Sequence, residues 1–158
     1  MRASMIGIAP DVADDQPDRA ASIPALSVVL FSGTDDRLDA ASSLIAGAAR
    51  TGRRVDVLLQ FWALEAFRRD RIREDHGWAP EALPESWHRL WLASVSKGWG
   101  HWSEALRQSK ELGDLSIQAC ARSMSLLGLT IDDLDPLVDG VEDVAAFMAC
   151  ASGPITFI

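Results

Sequence analysis

The chain has 158 residues, which is enough for one domain with a full hydrophobic core. Its hydrophobic fraction of 48% and its mean hydropathy of +0.05 are typical of a globular protein and not of a disordered one. Acidic residues outnumber basic residues by 23 to 15, and the formal net charge is −8. That charge argues against a protein that binds nucleic acid or an anionic membrane, because both functions need a basic face.

Targeting and metal-binding patterns are missing from the sequence. No run of about eighteen apolar residues occurs, so we predict no membrane span. Residues 1–10 lack the long apolar core of a secretory signal, and we therefore expect a cytoplasmic protein. Two cysteines are too few for a disulfide framework. There is no CxxC motif and the histidines are scattered, so we predict no metal site.

The first elements follow a polar N-terminal stretch. Residues 1–23 are predicted to form a flexible acidic leader, because residues 11–22 contain acids and a proline and show no periodicity. We expect a single domain over residues 24–158, which begins with a buried strand at Ala25–Phe31, a continuous apolar run. A loop over residues 32–36 leads into a helix whose apolar residues recur at helical spacing, namely Leu38, Ala41, Ile45 and Ala48.

A second strand is predicted over Arg54–Phe61, with a short helix over Trp62–Phe67. Residues 68–102 break the pattern, and we interpret them as an insertion. A mixed charge run is followed there by five of the six tryptophans, Trp78, Trp87, Trp91, Trp99 and Trp102. Two explanations remain open for these rings. They pack locally over the sheet edge, or they form a subunit or partner interface, where Trp is enriched.

Regular patterning returns after residue 102. The predicted elements are a helix over Ser103–Leu112, a strand over Leu115–Cys120, a helix ending near Gly128, a short strand at Leu137–Val138, a helix over residues 141–151 and a strand over Pro154–Ile158. Short apolar strands that alternate with amphipathic helices predict a three-layer α/β/α fold with a mainly parallel sheet of about five strands. Ligands and chemistry in such folds lie beyond the carboxyl ends of the strands. The turns after Phe31, Phe61 and Ala119 should share that edge.

Cys120 is the strongest candidate for a reactive residue. It lies where the third strand meets the following helix, so the predicted geometry presents its thiol to free backbone N–H groups and to the positive end of the helix dipole. Both favour the thiolate, which is the nucleophilic form. Considered without its position, a cysteine is more often a buried core residue. The other cysteine, Cys150, has an apolar setting and is interpreted as structural, or as a resolving cysteine if folding brings it near Cys120.

Three pieces of the chain resemble the DsrE/DsrF/DsrH-like family of sulfur-relay proteins, closest to its DsrE2/DsrE3-type branch. They are residues 28–35, residues 61–64 (Phe-Trp-Ala-Leu, with Ala63 where the family usually has Gly), and residues 119–124 (Ala-Cys-Ala-Arg-Ser-Met) with the following Leu127-Gly128. The resemblance covers roughly residues 25–67 and 103–158. It covers the Trp-rich insertion poorly.

The resemblance implies a flavodoxin-like domain that forms homo-oligomers and carries sulfur as a persulfide on Cys120. It also implies a rhodanese-like sulfur donor and a TusA-like acceptor as partners. Family members of this branch often carry membrane helices, and this chain departs from them. In the resulting pocket we expect Gly33 and Thr34 to line one side, and Phe61 and Trp62 to exclude water.

Two residues beside the cysteine have both a functional and an ordinary explanation. Arg122 holds negative charge near the sulfur, or is a solvated residue at the start of the helix. Ser123 donates a hydrogen bond to a thiolate, or caps the helix. The sequence does not choose between the two roles of Arg122, and it favours capping for Ser123.

The predicted function is that of a sulfur carrier, or sulfurtransferase-like protein, that needs no metal and no organic cofactor because thiol exchange supplies the chemistry. One alternative is a non-catalytic homo-oligomeric interaction subunit of the same fold, with a buried and unreactive Cys120. Another is a thiol peroxidase, although Ile117 stands where true peroxiredoxins have the Thr of their Thr-x-x-Cys signature.

Overall fold

The computed structural model describes residues 25–158, so the leader predicted over residues 1–23 lies outside the described residues. A five-stranded sheet forms the centre, in the order β4-β3-β2-β1-β5, and every neighbouring pair of strands is parallel. The strands are β1 (Leu26–Leu30), β2 (Val55–Leu59), β3 (Leu115–Cys120), β4 (Gly140–Glu142) and β5 (Ile155–Phe157). The predicted three-layer flavodoxin-like architecture with a parallel five-stranded sheet is confirmed.

Within residues 25–158, six α-helices and one 3₁₀ turn connect the strands. The helices are α1 (Asp35–Arg50), α2 (Trp62–Ala66), α3 (Pro84–Lys97), α4 (Trp102–Leu112), α5 (Ala121–Leu127) and α6 (Val144–Cys150). Across residues 25–158, no helix combines the length and the apolar character that a membrane crossing requires.

The two faces of the sheet are covered by different helices. Alternate strand residues such as Val28, Val57 and Ile117 share one buried cluster with side chains of α1 and α4, and we call this side the first face. Val29, Leu58 and Cys120 point the other way and form a small cluster with Phe147 of α6, on what we call the second face. The first face therefore holds most of the hydrophobic core.

Strand register brings the carboxyl ends of the central strands to one edge. Leu59 of β2 is aligned with Leu30 of β1 and with Ala119 of β3. The turns that follow these three strands consequently leave the sheet side by side, as expected for a parallel sheet.

The structure corrects the sequence prediction in the last third of the chain. The fourth strand lies at Gly140–Glu142 and not at Leu137–Val138, whose side chains are buried in the core of the first face. Val141 belongs to this strand and not to the last helix. That helix begins three residues later because the Asp143 side chain accepts a hydrogen bond from the amide of Ala145 and caps it.

The Trp-rich insertion contains a helix that the sequence analysis did not predict. Helix α3 starts with Pro84 in its first turn and ends at Gly98, which adopts the left-handed conformation with φ of 63°. These are ordinary start and stop signals for a helix. They were missed because the stretch was interpreted as poorly periodic, although Trp87, Leu90, Trp91 and Val95 recur at the spacing of one helix face.

Candidate functional site

The turns after β1 and β2 meet at the carboxyl edge of the sheet. A Cβ atom placed on Gly33 would lie 2.3 Å from the carbonyl oxygen of Trp62, so the two turns approach closer than any side chain on residue 33 would permit. The amide of Ala63 also donates a hydrogen bond to the carbonyl of Phe31. Gly33 is therefore required for the contact that holds Trp62 beside the first turn.

Phe61 occupies a strained position between β2 and α2. Its φ of 45° lies in the left-handed region, which bulky residues rarely adopt. Its ring packs on Phe31 at 5.4 Å between centroids, and Phe31 packs in turn on Phe157 at 5.8 Å. This row of rings fixes Phe61 and directs the exposed Trp62 side chain away from the sheet.

A cleft of about 610 Å³ opens between these turns and the Trp-rich insertion. Three of the predicted site residues line it: Gly33, Thr34 and Trp62. Charged side chains of the insertion complete the wall, among them Arg71, which pairs with Glu65 at 3.0 Å. The cleft is thus amphipathic, with aromatic and small residues on the sheet side and ion pairs on the other.

Cys120 lies at the same edge of the sheet but does not line this cleft. It is the last residue of β3 and immediately precedes α5, as predicted, yet its exposed fraction is only 1%. The side chain is packed on the second face against Val29, Leu58 and Phe147. No side-chain hydrogen bond joins Cys120 to the amides of α5, which has seven residues.

The two residues beside Cys120 differ in environment. Arg122 is exposed at the start of α5. Ser123 is buried, and its hydroxyl has no hydrogen-bond partner among residues 25–158. Neither residue lines the cleft that contains Trp62, whereas Leu127, at the end of α5, does. The structure therefore brings together one predicted group, Gly33, Thr34 and Trp62 with Phe61 behind them, and separates it from the sulfur.

Cys150 is exposed at the end of α6. Together with Asp56 and Gln118 it lines a smaller cavity of about 180 Å³ on the second face. Cys150 follows Phe147, whose ring packs on Cys120, by one helical turn. Both cysteines are therefore associated with α6, one beneath it and one at its end.

Asp35, the first residue of α1, was interpreted from the sequence only as part of a loop, but its side chain contacts the Trp-rich insertion. Its carboxylate accepts hydrogen bonds from the Trp102 indole at 3.2 Å and from the His76 amide at 2.9 Å, and its own amide donates to the carbonyl of Gly77. Burial raises the pKa of Asp35 to about 6, despite the opposing effect of these hydrogen bonds, and nearby Asp75 adds to the rise. Asp35 thus ties the insertion to the sheet edge.

Comparison with known proteins gives little information. No family model matches the chain, and no curated protein matches it. Among solved structures the chain is similar to a protein of unknown function, MTH1491 from Methanobacterium thermoautotrophicum. The two share 17% sequence identity with a TM-score of 0.41, over 79% of this chain and 88% of that one.

Proposed function

We propose that this protein is a cytoplasmic sulfur carrier that holds sulfane sulfur as a persulfide on Cys120 and passes it between partner proteins. The observation that carries the proposal is the position of Cys120 at the carboxyl edge of a parallel sheet, under a short helix that contributes a single buried side chain. Chemistry in this class of fold concentrates at that edge. A thiol stored there is shielded from water and from other thiols, which protects a labile persulfide.

The proposed reaction is two successive thiol exchanges. The Cys120 thiolate attacks the outer sulfur of a donor persulfide, a new sulfur–sulfur bond forms, and the donor cysteine leaves as a thiolate. An acceptor thiolate then attacks the same outer sulfur, and Cys120 leaves as a thiolate. No net oxidation or reduction occurs, so the transfer needs neither an oxidant nor an organic cofactor.

Transfer requires α6 to uncover the sulfur. Phe147 is the one residue of α6 that is buried, and its ring covers Cys120 together with Val29 and Leu58. Exposing one large apolar side chain costs about 1.5–3 kcal/mol, which is well below the stability of a typical domain. Local opening of α6 can therefore occur while the first face stays folded.

The aromatic cleft is the proposed docking place for partners. Trp62 is exposed beside the turn that carries Gly33 and Thr34, and exposed aromatic residues are typical anchors of protein interfaces. Arg122, which is exposed and follows Cys120 by two residues, is the proposed attractor for the negative charge of an incoming perthiolate. The proposed partners are a rhodanese-like donor and a TusA-like acceptor.

A second candidate function is favoured by one specific observation. The exposed fraction of Cys120, 1%, is what a non-catalytic interaction subunit of the same fold would show. In that case Cys120 is a core residue, and the protein acts by binding other subunits through its exposed apolar surfaces.

Sulfur loading separates the two candidates. The protein is incubated with glutathione persulfide, and intact-mass spectrometry counts added sulfur atoms in the wild type, Cys120→Ser and Cys150→Ser. A sulfur carrier gains one sulfur in the wild type and in Cys150→Ser, and none in Cys120→Ser. A wild type that never gains sulfur, or a Cys120→Ser variant that gains it equally well, leaves the interaction subunit as the function.

A further inference from the structure

Helix α3 has an apolar face that the domain does not bury. Trp87, Trp91 and Val95 belong to this face, and yet no residue of α3 is buried. Trp91 and Ser94 line a second cleft, of about 370 Å³, between α3 and the start of α1. Cavities larger than roughly 300 Å³ are typical of small-molecule sites. We call this space the α3 cleft.

Tryptophan rings form much of the wall of the α3 cleft. Four of them line it, namely Trp78, Trp91, Trp99 and Trp102. Trp102 is fixed in the core of the first face, whereas Trp91 and Trp99 are 47% and 70% exposed. The Lys97 ammonium group lies 5.9 Å from the centroid of the Trp99 ring. A ring of this cleft therefore already attracts a cation, as the electron-rich face of an indole does.

The charge of the cleft wall is mainly negative. Four carboxylates line it together with the tryptophans: Asp35, Asp39, Glu74 and Asp75. Among the described residues that line the cleft, Arg73 is the one guanidinium, and it is paired with Glu104. An anionic ligand would be repelled by this wall, and a cationic ligand would be attracted to it.

Two of these carboxylates lack a cationic partner. Partial burial raises the pKa of Asp35 to about 6, and it also raises the pKa of Asp39. The neighbouring charges that act on them, Asp75 and Asp36, are acidic and raise the two pKa values further. The carboxylate of Asp39 has no hydrogen bond or ion pair within residues 25–158. A cation in the cleft would supply the missing opposite charge.

The negative charge is spread along the wall and does not converge on one point. Within the described part of the chain, no group of three His, Cys, Asp or Glu side chains is arranged to hold a metal ion. A compact metal cation needs such converging ligands. Aromatic walls instead suit a large, weakly hydrated organic cation, and quaternary ammonium groups are the best-known example.

We propose that the α3 cleft binds the quaternary ammonium group of a ligand that carries no acidic group. The rings of Trp91 and Trp99 contact its methyl groups, and Asp39 provides the opposite charge. The proposal does not depend on sulfur transfer, and each can fail without the other.

The chain offers a matched control for each kind of contact. Trp91 and Leu92 are adjacent in α3 and have nearly equal exposed fractions, 47% and 48%, but Leu92 does not line the cleft. Asp39→Asn and Asp132→Asn each remove one negative charge, and Asp132 is an exposed residue of the 3₁₀ turn outside the cleft. General effects of truncation and of net charge are therefore separated from effects on the site.

Isothermal titration calorimetry of the full chain tests the proposal, with choline as the probe. Choline should bind at least about tenfold more tightly than dimethylbutanol, the uncharged analogue in which carbon replaces the ammonium nitrogen. Trp91→Ala and Asp39→Asn should each weaken choline binding by about fivefold or more, and Leu92→Ala and Asp132→Asn should leave it unchanged. The proposal is overturned if choline shows no saturable binding, if dimethylbutanol binds equally well, or if the control variants lose as much affinity as the cleft variants.

Two further probes define the molecule that carries the ammonium group. Phosphocholine should bind more weakly than choline, because the acidic wall repels its phosphate, and tighter binding of phosphocholine overturns the proposal. The acetylated amide of trimethyllysine represents a modified protein side chain. Both it and choline satisfy the proposed chemistry, and the one that binds more tightly identifies the source as a protein or as a free small molecule.

Discussion

The two faces of this sheet are covered to very different extents. The first face is covered by α1 and α4, which pack against each other and against apolar residues of every central strand. The second face is covered by the seven residues of α6, and its buried cluster has four members, Val29, Leu58, Cys120 and Phe147. The first face therefore contains most of the buried apolar residues, and the second face is covered by much less protein.

The difference between the two faces is visible in the strand sequences. Parallel strands that are buried on both faces are normally continuous apolar runs. Strand β3 instead alternates, since Ser116 and Gln118 separate the buried Leu115, Ile117 and Ala119. Asp56 does the same in β2. Part of the second face is therefore polar, and only the region under α6 and along β5 is apolar.

The largest effect should come from removing a side chain of the first face. Trp102 is 2% exposed, packs on Phe67 at 5.0 Å between ring centroids, and donates its indole N–H to Asp35. We expect Trp102→Ala to lower the free energy of unfolding by about 3–5 kcal/mol, as measured by urea denaturation. Trp99→Ala is the matched control, because Trp99 is 70% exposed, and it should change stability by less than about 0.5 kcal/mol. Equal losses in the two variants would contradict the assignment of the core to this face.

Replacing Phe147, which covers Cys120 on the second face, should lower stability less than Trp102→Ala does. It should instead raise the reactivity of the Cys120 thiol. Phe147→Ala is expected to lower the free energy of unfolding by about 2 kcal/mol. In a Cys150→Ser background, the alkylation rate of Cys120 by iodoacetamide should rise by about tenfold or more, because each 1.4 kcal/mol removed from local opening raises the open population about tenfold.

Met148→Ala controls for general weakening of α6. Its side chain is exposed one residue further along the helix and does not belong to the cluster around Cys120. In the Met148→Ala variant, made in the same Cys150→Ser background, the alkylation rate of Cys120 should match that of the parent. A Cys120 that stays equally unreactive in Phe147→Ala would show that α6 does not control access to the sulfur.

The fold was predictable because its signals are local. Segments rich in Val and Leu such as Val55–Leu59 and glycines such as Gly128, which ends α5 in the left-handed conformation, specify strands and helix ends within a few residues. The contact between Gly33 and Trp62 was also predictable, because the carboxyl ends of parallel strands lie at the same edge of the sheet.

The environment of Cys120 was not predictable, because it depends on long-range packing. The sequence places Cys120 correctly at the junction of β3 and α5, but its side chain is buried by Phe147, which lies 27 residues later in the chain. The role of Asp35 was missed for the same reason, since its partners His76 and Trp102 belong to the insertion. Strand patterns do not report which distant side chain covers a residue.

The smallest effect concerns Asp35, a half-buried carboxyl group at the edge of the first face. The pKa of Asp35 is raised from 3.8 to about 6, chiefly by burial, so the folded protein binds a proton at Asp35 more tightly than the unfolded chain does. The stability associated with this proton is fully present below pH 3.8 and is lost as the pH rises to about 6. Because Asp35 is only half-buried, solvent screening reduces the change to about 1 kcal/mol.

Asp35→Asn should remove this pH dependence. Relative to the wild type, the variant should gain stability between pH 4 and pH 7, as measured by urea midpoints at each pH. Asp133→Asn is a control of opposite sign, because hydrogen bonds from Thr130 lower the pKa of Asp133. That variant should be less stable than the wild type at pH 7, with a difference that shrinks as the pH falls below about 4. A stability difference for Asp35→Asn that stays constant from pH 4 to pH 7 would mean that Asp35 is not held in a desolvated position.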